Sequence, residues 1–369
     1  MNTSTLVTAL SGVLLASAGM LPAAPPQPPK ARNVIFIMTD GLRWQDVFRG
    51  ADPDLLDKDH GGIEEPEAVK REFWRETPAA RRAALMPFLW TVIARQGQVY
   101  GNRDRASEAF VTNGMNFSYP GYNEIFTGFP DPRIDSNDKN PNPNVTVLEW
   151  LNRKPAFAGR VAAFGAWDAF PAILNADRSG LLVNAGSDPL TVTPVSPTMA
   201  LLNRLKQETE VLGGEALDAL TFRTALEYFK QHQPRVLYLS LGETDEWAHS
   251  GRYDLYLKAA LRADQYAQEL WETAQSMEQY RGTTMLIFAV DHGRGEAPVE
   301  WKSHGQKIPD SKYVWMAFLG PDTKALGERS NTAPVTQSQV AATLAAFLGE
   351  DYNASVNAAG KPVTDTLGR

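Results

Sequence analysis

The sequence predicts an α/β fold in which helices cover a mainly parallel sheet. After residue 30, short apolar runs rich in β-branched and aromatic residues alternate with longer segments of helical periodicity. Helical segments lie between successive runs, so the connections are expected to be crossovers that leave the strands parallel. The five candidate strands are residues 34–38, 161–166, 236–241, 284–290 and 313–319.

The helices are predicted where apolar residues recur with a period near 3.6. Two other segments, residues 51–76 and 130–144, are charged or dense in Pro, Asn and Asp. We expect both to run over the surface. The predicted helices are residues 79–96, 197–210, 214–231, 253–277 and 337–348.

Composition indicates a globular chain built as one large unit. The 369 residues are 43% hydrophobic and 21% charged, with a formal net charge of -7. No Gly/Ser-rich or Pro-rich linker follows residue 30, so we expect one domain over residues 33–369, with insertions near 51–76 and 130–230. Lys and Arg are scattered rather than clustered, which argues against binding to polymeric nucleic acid.

The N-terminus has the pattern of a secretory signal. An apolar run at residues 6–20 contains an Ala-Ser-Ala triplet, which predicts a signal peptide over residues 1–24 and a Pro-rich spacer over 25–32. No Lys or Arg precedes the run, so an uncleaved anchor is the alternative. The run is short for a membrane span, and we expect a periplasmic or secreted protein without stable membrane insertion after cleavage.

Cysteine is absent from the sequence. This excludes disulfides and thiolate metal ligands. Any metal site must therefore use imidazole and carboxylate groups, a mixture that holds zinc and similar divalent ions.

Carboxylates and imidazoles follow the ends of three predicted strands, and another imidazole lies just before a fourth strand. Open α/β sheets bind their ligands at the carboxyl edge of the strands, so we expect these side chains to meet there. They are Asp40, Asp245, His249, Asp291, His292 and His304.

The histidines separate into two groups. Of five in the chain, three belong to the strand-end clusters. His60 lies in the same Asp-His-Gly tripeptide as His292, but no buried strand precedes it, and we expect it in a loop. His232 is expected to be a capping or solvated residue at a helix end.

Ser118 is the candidate nucleophile. A helix is predicted to begin at this residue, with Pro120 in its first turn. Both the helix dipole and a neighbouring metal ion would favour the alkoxide form of its hydroxyl. The alternative is that Ser118 only caps the helix, contributing about 1 kcal/mol.

The order of five motifs resembles that of the alkaline phosphatase superfamily. These are Asp-Gly, a Ser that starts a helix ending in Thr-Gly, Asp-x-x-x-His, Asp-His-Gly and a final His. The sequence is similar in particular to the phosphodiesterase and nucleotide pyrophosphatase branch, where Thr-Phe-Pro-Asn occupies the place of residues 118–121. The resemblance covers residues 33–320 and a C-terminal helix at 337–349. It implies a three-layer α/β/α sandwich around a mainly parallel sheet.

The resemblance also implies a site for two divalent ions, Zn²⁺ or alternatively Mn²⁺. One ion would be held by Asp40, Asp291, His292 and the Ser118 oxygen. The other would be held by Asp245, His249 and His304. Ser118 would attack a small phosphate ester and form a phosphoserine intermediate.

Three departures from the branch limit the comparison. The final His follows His292 after only twelve residues, as in the sulfatase and phosphomutase branches. Tyr122 stands where the sulfatase signature requires Arg, so formylglycine formation is not expected. Gly121 replaces the Asn of the branch, and the substrate oxygen must find another partner, for which the candidates are Asn123, Lys302 and Arg294.

The sequence thus predicts an exported metal-dependent hydrolase of phosphate esters, either a phosphodiesterase or a phosphatase. Phosphomutase-type and sulfatase-type members of the superfamily are the alternatives among enzymes. A non-catalytic, metal-stabilised surface protein that binds a glycan or phosphate is the alternative from another class. The presence of Ser118 argues against it, because a binding module has no need of a nucleophile.

Overall fold

The computed structural model describes Met1, residues 29–209 and residues 212–368. The predicted signal peptide, apart from Met1, and the first part of the spacer lie outside the described residues. Within the described ranges, no helix has both the length and the apolar character needed to cross a membrane.

Ten strands and thirteen α-helices make up the described chain. The strands are β1 (Asn33–Thr39), β2 (Gln98–Tyr100), β3 (Ala109–Phe110), β4 (Val161–Gly165), β5 (Leu182–Ala185), β6 (Val236–Leu241), β7 (Thr284–Val290), β8 (Met316–Leu319), β9 (Gly327–Glu328) and β10 (Val335–Thr336). The helices are α1 (Trp44–Arg49), α2 (Pro66–Phe73), α3 (Pro78–Leu85), α4 (Ala94–Gln96), α5 (Ser118–Thr127), α6 (Val147–Asn152), α7 (Phe170–Ile173), α8 (Ala176–Ser179), α9 (Pro197–Glu208), α10 (Asp218–His232), α11 (Glu243–His249), α12 (Tyr253–Ser276) and α13 (Val340–Phe347).

Eight strands form one sheet in the order β5-β4-β6-β1-β7-β8-β2-β9. Strands β5, β4, β6, β1 and β7 are parallel, whereas β8 is antiparallel to both β7 and β2. The predicted α/β fold with a mainly parallel sheet is therefore confirmed. Strand β1 lies between β6 and β7, which places the carboxyl ends of these three strands side by side.

Both faces of the sheet centre are covered, since every residue of β1, β4, β6 and β7 is buried. Phe36 and Tyr238 are opposite each other on β1 and β6, and the ring of Phe126 on α5 packs edge-on against both. Three buried aromatic rings therefore fix α5 to the middle of the sheet, over the strands whose ends carry the polar residues.

Several predicted elements differ from those observed. Residues 79–96 do not form one helix, because Pro87 disfavours helical geometry at the preceding residue. Helix α3 ends before Met86, and a π-helical stretch, Leu89–Ile93, separates it from α4. The predicted strand at 313–319 begins only at Met316, and β5 at the edge of the sheet was not predicted.

The two segments expected at the surface also differ from each other. Residues 130–144 contain no helix or strand, as their composition predicts. Residues 51–76 form part of the core instead, since Leu55, Ile63 and Phe73 are fully buried. His60 lies in an exposed turn, as predicted, and His232 is the last residue of α10, where its ring stacks on Tyr228.

Asp264 on α12 allows a test of stability against pH. Its carboxylate accepts the backbone N–H groups of Phe88 and Leu89 at 2.7 and 2.8 Å, yet burial raises its pKa to about 7. The Asp264 carboxyl group therefore binds a proton more tightly in the folded state than in the unfolded state. The stabilisation that results is fully present below about pH 4 and is lost as the pH rises to 7, by at most about 4 kcal/mol.

We expect Asp264→Asn to remove this contribution to the pH dependence. The measurement is the free energy of unfolding in urea at pH 4 to 8, compared between the wild type and the variant. Asp254→Asn is the control on the same helix, because Arg252 lowers the pKa of Asp254 and moves its titration below this range. An equal slope in the wild type and Asp264→Asn would contradict the assignment.

Candidate metal centre

The fold brings the polar residues that follow β1, β6 and β7 to one edge of the sheet. Asp40 is the first residue after β1, and Asp291 is the first after β7. Strand β6 is followed by Gly242 and then α11, which carries Asp245 and His249 one helical turn apart. Apart from Ser118, the residues predicted as metal ligands therefore come from neighbouring strand ends, from α11 and from the loop that contains His304.

Asp40, Asp291 and His292 form the first group of candidate ligands. The Nε2 atom of His292 lies 3.2 Å from Asp40 Oδ1 and 3.5 Å from Asp291 Oδ2. Both oxygens are buried without a hydrogen-bond partner. The other oxygen of each carboxylate accepts a hydrogen bond, from the Tyr122 hydroxyl at 2.9 Å and from the Gly41 N–H at 3.1 Å.

Backbone carbonyls orient the two imidazoles nearest these carboxylates. His292 Nδ1 donates to the carbonyl of Gly293 at 2.9 Å, and His304 Nδ1 donates to the carbonyl of Asn116 at 3.3 Å. Because a carbonyl can only accept, each ring carries a proton on Nδ1 and turns Nε2 toward the carboxylates. This is the arrangement that proteins use for metal-bound histidine.

The electrostatics of the first group require a positive charge. Burial opposes protonation of His292, but Asp291, Asp40 and Asp245 together raise its pKa to about 9. Burial and the neighbouring Asp40 raise the pKa of Asp291 well above its ordinary value. Two unpartnered carboxylate oxygens beside an imidazole nitrogen are a donor set that fits a divalent cation.

The second group is the predicted set Asp245, His249 and His304; in the structure Asp245 and His304 cluster with His292 as possible ligands, and His249 is an exposed neighbour of both. His249 Nε2 lies 3.1 Å from Asp245 Oδ2 and 2.9 Å from His304 Nε2. The ring of His304 also stacks on His292 with a centroid separation of 4.0 Å, so the two groups are contiguous. Burial and the charge of His292 lower the pKa of His304 to about 2, which leaves its Nε2 unprotonated and able to bind a cation.

Ser118 lies against the first group. It is the first residue of α5, and the N-cap residue is Phe117, so Ser118 does not cap this helix. The Ser118 side chain is buried, and its Oγ lies 3.4 Å from His292 Nε2. The hydroxyl therefore meets the candidate ligands at the positive end of the α5 dipole.

The comparisons with known proteins concern the fold. No protein-family model matches the sequence, and neither does any curated protein. A protein in the alkaline phosphatase superfamily from Vibrio parahaemolyticus is similar in structure, with a TM-score of 0.52 and 13% identity, over 96% of this chain and 75% of that chain. The chain has the fold of the alkaline phosphatase superfamily.

Two further solved structures support this assignment. The alkaline phosphatase PafA matches with a TM-score of 0.56 and 11% identity, over 94% of this chain and all of PafA. BT1596, a 2-O GAG sulfatase, matches with a TM-score of 0.54 and 12% identity, over 93% and 74% of the two chains. The resemblance inferred from the motifs is thus confirmed for the fold, and the superfamily neighbours include both phosphatases and sulfatases.

The three residues predicted to contact substrate have different surroundings. Asn123 is fully buried, and its amide bonds to Asn142, Asn144 and the Phe129 carbonyl, so it does not join the two groups of candidate ligands. The Lys302 ammonium lies beside Gly251, just after α11. Of the three, only Arg294 contacts a candidate ligand, through the Asp245 carboxylate.

Tyr122 and Gly121 contribute to the centre in ways that sequence analysis missed. The buried Tyr122 hydroxyl bonds to both Asp40 Oδ2 and Ser240 Oγ. Tyr122 follows Ser118 by four residues, and this spacing was the available signal that both face the same side of α5. A Cβ atom on Gly121 would lie 2.6 Å from the Asp291 carbonyl, so only glycine allows α5 to approach the end of β7 this closely.

A pair of buried carboxylates holds the helix that carries Asp245 and His249. The Asp218 carboxylate accepts the N–H groups of Gly242 and Glu243 at 2.7 and 3.3 Å, and the Glu243 carboxylate accepts the Asp218 N–H at 3.0 Å. The α10 and α11 N-termini therefore cap each other, and Arg262 on α12 pairs with Glu243. No local sequence pattern indicates this pairing, because the two acids are 25 residues apart.

Tyr122→Phe is expected to weaken metal binding while the fold is retained. The substitution removes the hydrogen bond that orients Asp40, and losses of this kind reduce metal affinity by roughly 10- to 100-fold. The measurement is zinc affinity by competition with a chromophoric chelator. Tyr119→Phe is the control, because that hydroxyl bonds only to the Asn140 and Ala172 carbonyls, and an equal loss in both variants would reject the role of Tyr122.

Proposed function

We propose that this chain is a metal-dependent hydrolase of small phosphate esters with Ser118 as its nucleophile. The observation that carries the proposal is the position of Ser118 Oγ, at the N-terminus of α5 and 3.4 Å from His292 Nε2. A purely structural serine would not need to lie beside a buried group of carboxylates and an imidazole that is contiguous with a second, partly exposed group. The superfamily fold supports a hydrolase, since the similar structures include an alkaline phosphatase and a sulfatase.

Each group of residues would hold one divalent ion. Asp40, Asp291 and His292 would hold one divalent ion, and Asp245, His249 and His304 a second, with Zn²⁺ or Mn²⁺ suited to these donors. Two such ions supply Lewis-acid stabilisation of the attacking and leaving oxygens. Tyr122 and Gly41 fix the two carboxylates of the first group, so that each presents one free oxygen.

Ser118 carries the covalent step. Its Oγ forms a bond to phosphorus while the bond to the leaving oxygen breaks, and the proton that Ser118 loses ends on the leaving alcohol. A water oxygen then bonds to phosphorus as the bond to Oγ breaks, which releases the phosphate product, and a proton from this water restores the Ser118 hydroxyl. Gly121 and the buried aromatic contacts of α5 keep the nucleophile in place against the end of β7 throughout both steps.

Other reactions of the superfamily are alternatives that the assay must separate. The twelve-residue separation of His292 and His304 resembles the sulfatase and phosphomutase branches. The buried Tyr122 hydroxyl bonds to Asp40 and Ser240, whereas the sulfatase signature requires an arginine at this position. This argues for phosphate esters over sulfate esters.

The proposal includes the setting in which the enzyme works. The N-terminal sequence alone supports export to the periplasm or the medium. The scattered basic residues support a small phosphate ester as the substrate rather than a nucleic-acid polymer.

Ser118→Ala is expected to lower turnover of the preferred nitrophenyl substrate by about 10³-fold or more, because the variant lacks the oxygen that forms the covalent intermediate. The assay compares a phosphate monoester, a phosphate diester and a sulfate, with bound metal measured on the same samples. Ser338→Ala is the control, since this serine bonds to Glu124, which lies on the same helix as Ser118.

Each result of this assay has a defined meaning. Unchanged turnover in Ser118→Ala would reject the nucleophile, and a preference for sulfate would favour the sulfatase alternative. Wild-type protein that holds no metal and turns over none of the three substrates would favour the non-catalytic binding protein.

A further inference from the structure

Arg294 places a fixed positive charge inside the second group. Its side chain is completely buried, and Nη2 donates to both Oδ1 and the backbone carbonyl of Asp245. The Nε and Nη1 atoms have no hydrogen-bond partner. Asp245 is therefore the only carboxylate paired with this guanidinium, and the guanidinium is shielded from solvent.

Gly41 holds the guanidinium in this position. At φ +57° Gly41 packs so closely that a Cβ atom there would lie 2.9 Å from Arg294 Nε and 2.6 Å from Asp245 Oδ1. The absence of a side chain at residue 41 is what lets Arg294 approach Asp245. The contact therefore depends on the backbone that links β1 to α1.

The oxygen that Arg294 contacts also faces two of the imidazoles, whereas the third, His249, lies 3.1 Å from Oδ2. Asp245 Oδ1 lies 3.7 Å from His304 Nε2 and 3.9 Å from His292 Nε2. A cation bound to the second group would have to share Oδ1 with the guanidinium or use Oδ2 alone. In either position it would lie close to a buried positive charge, and the two would repel each other.

Among the described residues, no arginine or lysine forms an ion pair with a carboxylate of the first group. This group contains two carboxylates, and each presents a buried oxygen without a hydrogen-bond partner. The second group has a single carboxylate, whose charge Arg294 already balances. The two groups therefore attract a cation unequally, although their ligand counts are similar.

We propose that Arg294 weakens the second ion site, so that the ions bind in order, first at Asp40–Asp291–His292 and then at Asp245–His249–His304. This inference rests on the two-ion site of the proposed function. The consequence is an enzyme that would hold its first ion permanently and acquire the second according to the free metal concentration.

The experiment is a calorimetric titration of chelator-treated protein with Zn²⁺, in the presence of a competing chelator. The wild type should bind two ions in separate steps. Arg294→Met, which removes the charge but keeps the volume, should bind the second ion at least about 10-fold more tightly, a change of 1.4 kcal/mol. The affinity for the first ion should change less than the affinity for the second, because the hydrogen bonds given for Asp40 and Asp291 come from Tyr122 and Gly41 and not from Arg294.

Three further variants make the result specific to charge. Arg294→Lys keeps the positive charge and should retain the weak second step. Arg294→Gln also removes the charge, so it replaces Arg294→Met in the comparison if the latter does not fold. Arg252→Met removes a cation that pairs with Asp254, which is not a candidate ligand, and should leave both steps unchanged.

Several outcomes would overturn the inference. Weaker binding of the second ion in Arg294→Met and Arg294→Gln would show that Arg294 positions Asp245 instead. Two equally tight sites in the wild type, or the same affinity for the second ion in Arg294→Lys and Arg294→Met, would overturn this inference and leave the proposed function intact. A wild type that binds no ion would overturn the proposed function together with this inference, which distinguishes the two failures.

Discussion

The structure depends on a concentration of buried negative charge at the carboxyl edge of the sheet. Asp40, Asp245 and Asp291 surround His292, and the first group presents two oxygens that no protein donor satisfies. Burying such charges is costly unless opposite charge is supplied nearby. Under the proposed function, fold stability and catalysis would be linked at this edge, because a cation that satisfies the carboxylates would also act as the Lewis acid of the reaction.

Close backbone approach makes this concentration of charge possible. Gly121 lets α5 contact the end of β7, and Gly41 lets Arg294 and Asp245 pack against the end of β1. Elsewhere the same edge is tied by reciprocal caps, in which Asp218 and Glu243 hold the start of α11. Most of the candidate ligands thus lie at strand ends or on α11, and partners outside the two groups orient Asp40, Asp291, His292 and His304.

The fold was predictable where burial was complete. Strands β6 and β7 match their predicted bounds because their apolar, β-branched runs lie at the centre of the sheet, where hydrophobic pattern and structure agree. Prediction failed for the helix at residues 79–96, where Pro87 changed the backbone geometry. It also failed for residues 51–76, where apolar side chains such as Phe73 joined a core formed by distant elements. The burial of Phe73 is not visible in a local window of sequence, whereas Pro87 is a local signal that the predicted helix did not take into account.

By itself, the sequence determined which chemical groups are available and in what order the chain presents them, because strands that end in Asp and His deliver those groups to one edge of a parallel sheet. The exclusion of thiolate ligands and the start of α5 at Ser118 follow from composition and local pattern. Only the tertiary structure decided the partners. That Tyr122 orients Asp40, that Asn123 lies in a separate amide network and that Arg294 shares the Asp245 carboxylate all depend on contacts between residues distant in sequence. Such contacts are set by packing, which residue order alone does not specify.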